Sequence, residues 1–521
     1  MEGTRKLAGV VAEAVATLEA VLGQEVAGLG TVDLLAMERR LQQVFRRVGS
    51  VVVSGVLQQR AQGPEGEAAG CPRCGRRLQV VGRARARTVL GVGGEYRFAR
   101  PTFPCATCHV GHAPLDAVLG LGDERLSPAL AQVVCQQAQQ VSFAEASTSV
   151  ESSLGVFVDG ETVRRLAEGL GRLIEQDQAD REQWAVPDDA VPACLLVETD
   201  GVHTPLLDGY HETKVGRVAA LGPSVKEDPE TGRVTLVMQP SSFCTGLERA
   251  ADFFPRLTRE AWRAGFTRGV RRVVFLGDGA LWIWHQARTQ FSHPGVDVVE
   301  IVDFYHAAEH LGEVARAVYG AGTLLASTWL TDQKHALLHH GPGPVLQALA
   351  AFANLDEQTR AVVERNQDYF RDRATRMDYP TFIARQFPIG SGAVESGCKV
   401  LITQREKGAG MRWSPSGAQS IANLRALYRS AHGRWQVWWA SRPLARLRLL
   451  PPAVVDASTD AQAPVVPAIP AVAPPAPPPD LHTVGQTPPA AAAKRIATAG
   501  TPWGKPPDHW RRRSISHKRT A

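Results

Sequence analysis

The stretch FPIGSGAVESGCKVLITQREKGAGMRW, residues 387–413, decides how the rest of the chain is interpreted. Ser391 or Gly392 is suited to cap a helix that the later glycines can end, which puts Glu395 in the first helical turn. The simplest explanation for Glu395 is that it complements the helix dipole. A carboxylate on a basic helix also suits a site that holds both a cation and a polyanion. The residues of this stretch that we expect to contact DNA are Lys399, Arg405, Lys407 and Arg412.

Length and composition limit the classes of protein. The 521 residues have room for several domains, and 58 Lys and Arg against 52 Asp and Glu make the chain slightly basic. The N-terminus lacks the pattern of a signal peptide, and no apolar run is long enough to cross a membrane. We therefore expect a cytoplasmic protein with no membrane contact.

Four of the eight cysteines form two pairs with metal-ligand spacing. Cys71 and Cys74 make one pair, Cys105 and Cys108 make the other, and thirty residues separate the pairs. Four thiolates arranged in this way suit a structural Zn²⁺ ion. The alternative is four unrelated buried cysteines.

The residues between the cysteine pairs predict the long hairpin of a zinc ribbon. Arg83, Arg85 and Arg87 alternate along one strand, Tyr96 and Phe98 along the next, with glycines between them. Eight arginines and one acid between Cys71 and Cys108 predict a surface that faces phosphates, and we expect the three alternating arginines to contact DNA. His109 and His112 could each replace a cysteine ligand, although surface histidines are the simpler interpretation.

Residues 125–171 contain three short helical patterns with clear caps. Ser127-Pro128 begins the first pattern, the capping box Ser142–Glu145 begins the second, and Asp159 begins the third. This order resembles a helix-turn-helix, although any three-helix packing domain gives a similar pattern. The residues of the third helix that we expect to contact DNA are Thr162, Arg164 and Arg165.

From residue 193 the pattern becomes that of an α/β domain. Strands are predicted over 193–198, 214–221, 234–239, 273–276 and 296–302, with helices over 247–264 and from Asp303 onward. Three successive strands followed by alternating helices and strands predict a mixed sheet flanked by helices. Residues 306–378 lack strand patterning and predict an all-helical insertion.

Three acids stand at positions that suit catalysis. Asp200 and Asp278 each follow an apolar strand and precede glycine, and Glu395 begins a helix. Each aspartate alone could simply be a turn residue. Together, carboxylates at one sheet edge need a cation, and their hard oxygens select Mg²⁺ or Mn²⁺. Two such ions would activate a water or a 3′-hydroxyl at a phosphodiester.

The chain resembles bacterial insertion-sequence transposases of the DDE type, in the Kra-type group allied to the Mutator-like elements. The resemblance spans about residues 60–445, and four motifs carry it: ETDGV at 198–202, GDGALWIW at 277–284, VDFYHAAEH at 302–310, and PIGSGAVESGCK with KGAGMRW at 388–413. It implies a ribonuclease-H-like core with Asp200, Asp278 and Glu395 as the catalytic, metal-binding triad. Asp303 and His306 match the family's Asp-x-x-His motif.

The resemblance and the sequence patterns together predict a multidomain α/β protein. The expected parts are an N-terminal helical region (1–61), a zinc ribbon (62–124), a helix-turn-helix region (125–175), a ribonuclease-H-like core (193–305 and 379–430) with a helical insertion (306–378), a C-terminal helix (431–449) and a disordered Pro/Ala-rich basic tail (450–521).

Two aromatic or imidazole pairs allow more than one interpretation. His306 and His310 lie one helical turn apart, which would suit a metal, but we expect His306 to act beside the carboxylates or on DNA. A core histidine bonded to a carboxylate is the alternative. Trp282 and Trp284 could stack on an extruded base, although packing between helix and sheet is the more common use of such residues.

The expected function is metal-dependent DNA transposition. The protein would bind the terminal inverted repeats of its own element, cleave phosphodiesters at the ends and join the 3′-hydroxyls to target DNA, as a dimer or larger assembly on double-stranded DNA. The other possibilities are a structure-specific nuclease or resolvase, a catalytically inactive DNA-binding protein, and a zinc hydrolase that uses His306 and His310.

Overall fold

A mixed five-stranded sheet is organised around the apolar run at residues 195–197. The computed structural model describes residues 2–26, 33–62, 70–71, 74–78, 83–109, 111–180, 182–222, 225–227, 234–236 and 240–447. The predicted tail at 450–521 lies outside the described residues, as does most of the segment that joins the first helices to the first cysteine pair.

The strands have the following bounds: β1 (Arg83–Gly91), β2 (Gly94–Pro104), β3 (Gly111–His112), β4 (Cys194–Leu206), β5 (Gly209–Ala220), β6 (Val225–Glu227), β7 (Val234–Leu236), β8 (Ser241–Gly246), β9 (Arg272–Gly277) and β10 (Asp297–Val302). The helices are α1 (Glu2–Val26), α2 (Leu34–Ala61), α3 (Pro114–Val118), α4 (Pro128–Ala138), α5 (Phe143–Leu154), α6 (Gly160–Ala179), α7 (Ala250–Arg263), α8 (Leu281–Phe291), α9 (Phe304–Tyr319), α10 (Leu324–His340), α11 (Pro342–Ala350), α12 (Glu357–Asp372), α13 (Tyr379–Ala384), α14 (Gly392–Cys398), α15 (Gln404–Glu406), α16 (Pro415–Arg429), α17 (Arg434–Ala440) and α18 (Pro443–Leu447).

The central sheet has the strand order β10-β9-β4-β5-β8. Strands β4, β5 and β8 pair antiparallel, whereas β9 and β10 run parallel to β4. The predicted α/β class and mixed sheet are confirmed. The prediction of the third strand is wrong: β7 pairs with β6 in a separate two-stranded sheet, and the polar segment β8 takes the place beside β5.

The core of this region lies between the sheet and its helices. Side chains from β4, β9 and β10 pack against α7, α8 and the helices that follow β10. Trp284 is buried among them, with its ring edge-on to Phe275, so the packing interpretation of this tryptophan is correct. From Phe304 to Ala384, where every residue is described, the chain contains helices and no strand, as predicted for the insertion.

The organising stretch forms one continuous helical segment that is not uniformly α-helical. It runs through α14, a π-helix at Lys399–Thr403, and α15, and it ends before Gly408. Trp413 then bonds to the end of β4: its N–H donates to the carbonyl of Pro205, and the N–H of Leu207 donates to the carbonyl of Trp413. The stretch is thereby attached to the strand that carries Asp200.

The three helices predicted between residues 125 and 171 form with the predicted caps. Ser127 accepts from the N–H of Leu130, and Ser142 and Glu145 make both bonds of a capping box. Helices α4, α5 and α6 share one core with α16, α17 and α18. The N-terminal hairpin β1–β2 packs on α2, and no described helix is long and apolar enough to cross a membrane.

Candidate active site and metal-binding cluster

The strand register places three aspartates at one level across the sheet. Pairing between β4 and β9 ends at Glu198 and Leu276, so Asp200 and Asp278 are the second residues beyond the pair. Pairing between β9 and β10 ends at Gly277 and Val302, so Asp278 and Asp303 follow directly. Because parallel strands end at the same sheet edge, these carboxylates belong to one neighbourhood.

Asp200 does not end its strand as we predicted. Strand β4 continues to Leu206 and pairs there with β5 and, at its end, with Trp413, while β9 has already ended. Asp200 therefore lies on an extended arm of the strand, beside the edge at which the parallel pairing stops. Its Oδ1 accepts a hydrogen bond of 2.7 Å from the N–H of Gly201, which fixes the orientation of the carboxylate.

The charges of the other two predicted acids act on Asp200. Burial raises the pKa of Asp200, and the charges of Asp278 and Glu395 raise it further, while hydrogen bonds from the Gly201 N–H and the Cys398 thiol lower it. Like charges that act on one another disfavour ionisation, and a bound cation would relieve this repulsion. The donor set, three carboxylates with hard oxygens, fits Mg²⁺ or Mn²⁺.

Glu395 occupies the first turn of α14, as predicted, and its side chain is exposed. The Ser391 hydroxyl does not cap the helix backbone. It donates to Oε1 of Glu395 over 2.8 Å. Ser391 in turn donates its N–H to Oδ2 of Asp303. Glu395 is therefore held by Ser391, and Ser391 is held in turn by Asp303.

Asp303 is a residue that we did not predict as part of the site. It is 1% exposed, and it caps α9 by accepting from the N–H of His306 over 2.8 Å. With Oδ1 on His306 and Oδ2 on Ser391, both oxygens are used to join the insertion to the Glu395 segment. The sequence did carry a signal for Asp303, because it directly follows β10 as Asp278 directly follows β9.

Glu198 is a further buried carboxylate near these acids. It forms an ion pair with Arg217 on the neighbouring strand, and both side chains are buried. Burial raises the pKa of Glu198 to about 7, the charge of Arg217 lowers it, and the charges of Asp303 and Glu395 raise it. Carboxyl groups are thus concentrated on this part of the sheet, and Arg217 balances the charge of Glu198.

His306 lies in the first turn of α9 and is half-exposed. Its Nδ1 is 3.6 Å from a carboxylate oxygen of Glu309, and its ring is 5.3 Å from that of His310. His310 bonds to Asn366 and stacks on Tyr369. Within the described residues, no group of three or more ligand atoms within 4.8 Å of one another includes this pair, and none contains Asp200, Asp278 and Glu395 either.

The four predicted cysteines meet at one point in the N-terminal region. The Sγ atoms of Cys71, Cys74, Cys105 and Cys108 all lie within 4.8 Å of one another, and no other group of three or more possible ligands in the described chain is as close. The 3.6 Å between Cys74 and Cys105 agrees with the roughly 3.8 Å expected between thiolates on one tetrahedral zinc. The cluster could bind a metal such as zinc.

The surroundings favour the thiolate of Cys105, whereas hydrogen bonding with Cys74 and burial raise the pKa of Cys108. Hydrogen bonds from the N–H groups of Cys108 and Thr107 lower the pKa of Cys105 to about 6. The interpretation of His112 as a surface residue is wrong. It is buried, and its Nε2 lies 3.2 Å from the sulfur of Cys71, where a neighbouring imidazole can orient a metal ligand. His109 is exposed, as expected.

Two arginines predicted to contact DNA are used inside the protein instead. Arg87 donates to Asp116 over 2.6 Å and to the carbonyl of Gly122. Arg405 is 2% exposed, donates to the carbonyl of Ala138, and lies over the Trp413 ring. Neither guanidinium is presented to solvent, because each completes the packing of a buried polar network.

The remaining predicted DNA contacts differ in their surroundings. Lys399, Lys407, Arg412 and Arg85 are exposed. Thr162 is partly exposed, Arg164 pairs with Glu161 and Glu168, and Arg165 pairs with Glu124. The side chain of Arg83 lies outside the described part of the chain. The exposed lysines and Arg412 keep the Glu395 helix basic on its solvent side.

Comparison with known proteins gives little support for any assignment. No family model matches the chain, and no curated protein matches it. Among solved structures, the chain is similar to the Drosophila P element transposase strand transfer complex, at 11% identity and a TM-score of 0.22, over 61% of this chain and 83% of that one. A similarity this weak supports no conclusion about fold or function.

Proposed function

We propose that the protein is a DDE-type DNA transposase of an insertion sequence, with Asp200, Asp278 and Glu395 as its catalytic acids. The observation that carries the proposal is the register of the central sheet. It sets Asp200 and Asp278 each two residues beyond the last paired residues of β4 and β9, and the charge of Glu395 also acts on Asp200.

The sheet topology supports a ribonuclease-H-like core. Three neighbouring strands of the sheet, β4, β5 and β8, pair antiparallel, and two further strands, reached through helices, run parallel to β4. This arrangement characterises ribonuclease-H-like sheets, in which acids from the first and fourth strands meet. Here those strands are β4 and β9.

The three carboxylates would hold divalent metal ions, which when bound would activate the attacking oxygen and stabilise the leaving oxygen of a phosphodiester. The protein holds each acid in advance: Gly201 donates to Asp200, Ala280 donates to Asp278 and Ser391 donates to Glu395. Exposed Lys399, Lys407 and Arg412 would balance phosphate charge beside this site. The chain therefore contributes alignment and charge balance and needs no covalent nucleophile.

The N-terminal modules would bind the terminal inverted repeats. The cysteine cluster, with zinc, would fix the hairpin that presents Arg85, and α6 would present Thr162 and Arg165 at its exposed beginning. Both ends of an element must be processed together, so we expect a dimer or larger assembly on double-stranded DNA.

The test is a strand-cleavage and joining assay with purified protein, Mg²⁺ and DNA that carries the terminal repeats. Asp200→Asn, Asp278→Asn and Glu395→Gln should each abolish cleavage and joining while mobility-shift binding of the same DNA in EDTA stays normal. A matched control is Asp297→Asn, which removes an exposed carboxylate at the opposite end of the sheet.

Each other outcome identifies a different protein. Cleaved ends without joined products would indicate a nuclease or resolvase. Binding without cleavage by the parent protein would indicate a DNA-binding protein without catalytic function. Full activity in any of the three variants would contradict the proposed triad.

A further inference from the structure

We propose that Tyr369 and Arg373, at the end of the helical insertion, are positioning residues for Asp278. The inference rests on the proposed function, because it concerns how one of the three acids is aligned. Neither residue belongs to the motifs that carry the resemblance. Both were found only from their contacts with the turn that follows β9.

The turn after β9 is held from outside by two side chains. The Tyr369 hydroxyl donates to the main-chain carbonyl of Asp278 over 3.2 Å. Nε of Arg373 donates to the carbonyl of Gly279 over 2.6 Å. These two carbonyls belong to Asp278 and Gly279. The two donors therefore determine the orientation of the peptide planes on both sides of Gly279.

The turn needs this support because no strand pairing fixes it. Asp278 and Gly279 lie beyond the end of β9 and before the first residue of α8. Gly279 has φ of +98°, and a Cβ at this position would lie 2.7 Å from the Tyr369 hydroxyl. The backbone conformation and the close approach of the tyrosine both favour glycine here.

The two donors are themselves fixed. The ring of Tyr369 stacks on His310, with centroids 3.7 Å apart and an interplanar angle of 19°. The Arg373 guanidinium lies 4.3 Å from the centre of the tyrosine ring. His310 is held by Asn366 over 2.7 Å. The contact therefore involves two helices of the insertion, α9 and α12, packed against one turn.

The direction of the Asp278 side chain follows from that of its peptide. Its Oδ1 accepts from the N–H of Ala280 over 2.9 Å, one residue past the fixed carbonyls. Rotation of the Gly279 peptide would move this donor and the carboxylate with it. Loss of the two outer hydrogen bonds should consequently weaken cation binding without removing any ligand.

The variant to test is the full-length Tyr369→Phe/Arg373→Gln protein. Phenylalanine keeps the ring that stacks on His310 and removes only the hydroxyl. The matched control is Arg371→Gln, an exposed arginine of the same helix that pairs with Asp368. Mn²⁺ binding is measured by electron paramagnetic resonance in zinc-loaded protein, with Asp278→Asn as the reference for loss of a ligand.

We expect the double variant to bind Mn²⁺ about 10- to 100-fold more weakly than the parent, with strand cleavage recovered at high Mn²⁺. Amide hydrogen exchange over residues 277–284 in metal-free protein should also accelerate. The control should match the parent in both measurements. Recovery at high Mn²⁺ separates a positioning role from a general loss of structure.

Unchanged Mn²⁺ affinity and unchanged exchange in the double variant would overturn the positioning role and leave the proposed function intact. A parent protein that binds no Mn²⁺ would overturn the proposed function and the inference together. If the double variant does not fold, Tyr369→Phe alone decides, because it deletes a single oxygen and retains the stacked ring.

Discussion

Ser391 shows how much of the site depends on one small side chain. Its N–H bonds to Asp303 and its hydroxyl bonds to Glu395, so it joins the capping residue of α9 to the third acid. A serine before a helix normally predicts a backbone cap. Here the side chain serves the carboxylate four residues later, which no local sequence pattern reveals.

Ser391→Ala should weaken metal binding and slow strand cleavage at limiting Mg²⁺, on the order of tenfold, because Glu395 loses its hydrogen-bond donor while the backbone bond to Asp303 remains. The measurement is the Mg²⁺ dependence of cleavage rate. Ser396→Ala, an exposed serine of the same helix, serves as the control. Equal Mg²⁺ dependence in the two variants would contradict the role.

Glu406 is a buried carboxyl group with an unusual titration. It is 0% exposed, and the hydroxyl of Thr204 acts on it only as a weak hydrogen-bond partner that lowers its pKa slightly. Burial raises its pKa from 4.5 to about 8, against the opposing charges of Arg405 and Arg425. Between these two values the folded protein binds more protons here than the unfolded chain does.

The stability that Glu406 contributes should therefore fall as the pH rises from about 5 to about 8, by up to about 1.4 kcal/mol per pH unit. The Glu406→Gln variant should lack this pH dependence of stability. As the pH rises across this range, the melting temperature of the variant should rise relative to that of the parent. Glu357→Gln, at an exposed position of α12, should keep a constant difference. A constant difference for Glu406→Gln as well would show that Glu406 stays ionised.

Among the elements, those with local signals were predicted best. The caps Ser127, Ser142 and Asp159 fixed where α4, α5 and α6 begin, because a cap and its partner lie within one turn. The strand at 234–239 was predicted from β-branched residues, yet the polar β8 occupies the sheet. Pairing with β5 decides this, and strand preference depends on such tertiary partners.

The same difference between local signals and tertiary contacts applies to the candidate site. The acids at 200, 278 and 395 could be proposed from sequence because each follows a strand or begins a helix beside glycine. Tyr369 and Arg373 could not be identified, since nothing in α12 indicates which turn it contacts. Arg405 was placed on the surface by its charge, although cation–π contacts and a buried carbonyl hold it inside.

The hairpin and the cysteine cluster form the element whose stability should depend on metal. Cys71→Ser should lose one bound zinc per chain and lower the thermal stability of the region around β1 and β2, because four thiolates replace a larger apolar core there. Metal content by mass spectrometry is the measurement. Cys194→Ser, a half-buried cysteine outside the cluster, should retain the zinc. Retention by both variants would exclude the cysteine site.

On the scale of the whole molecule, the predicted helix-turn-helix region is not a separately packed unit. Helix α6 packs along α16, and both belong to one core with α17 and α18. Gly171 marks the closest approach, where a Cβ would collide with the backbone of Ser420. The helices that would bind DNA and the helix that follows the Glu395 stretch are therefore packed against each other.

Gly171→Val should destabilise the protein by about 1–3 kcal/mol or more, because the added carbons must push α6 and α16 apart. The expected result is a lower melting temperature together with weaker binding of terminal-repeat DNA. Gly343→Val is the control, since nothing lies within 4 Å of a Cβ at that position in α11. An unchanged melting temperature for Gly171→Val would show that the two helices do not pack this tightly.

The π-helix at Lys399–Thr403 carries one residue more per turn than the helices on either side of it. Each residue of an α-helix advances the direction of a side chain by about 100°. A one-residue deletion here would restore an ordinary helix and keep Glu395 and Arg405 in the same relative direction, because the π-turn holds its extra residue within a single turn. A deletion within the α-helical residues 396–398 would instead turn Glu395 by about 100° relative to Arg405, and it should be the less tolerated of the two.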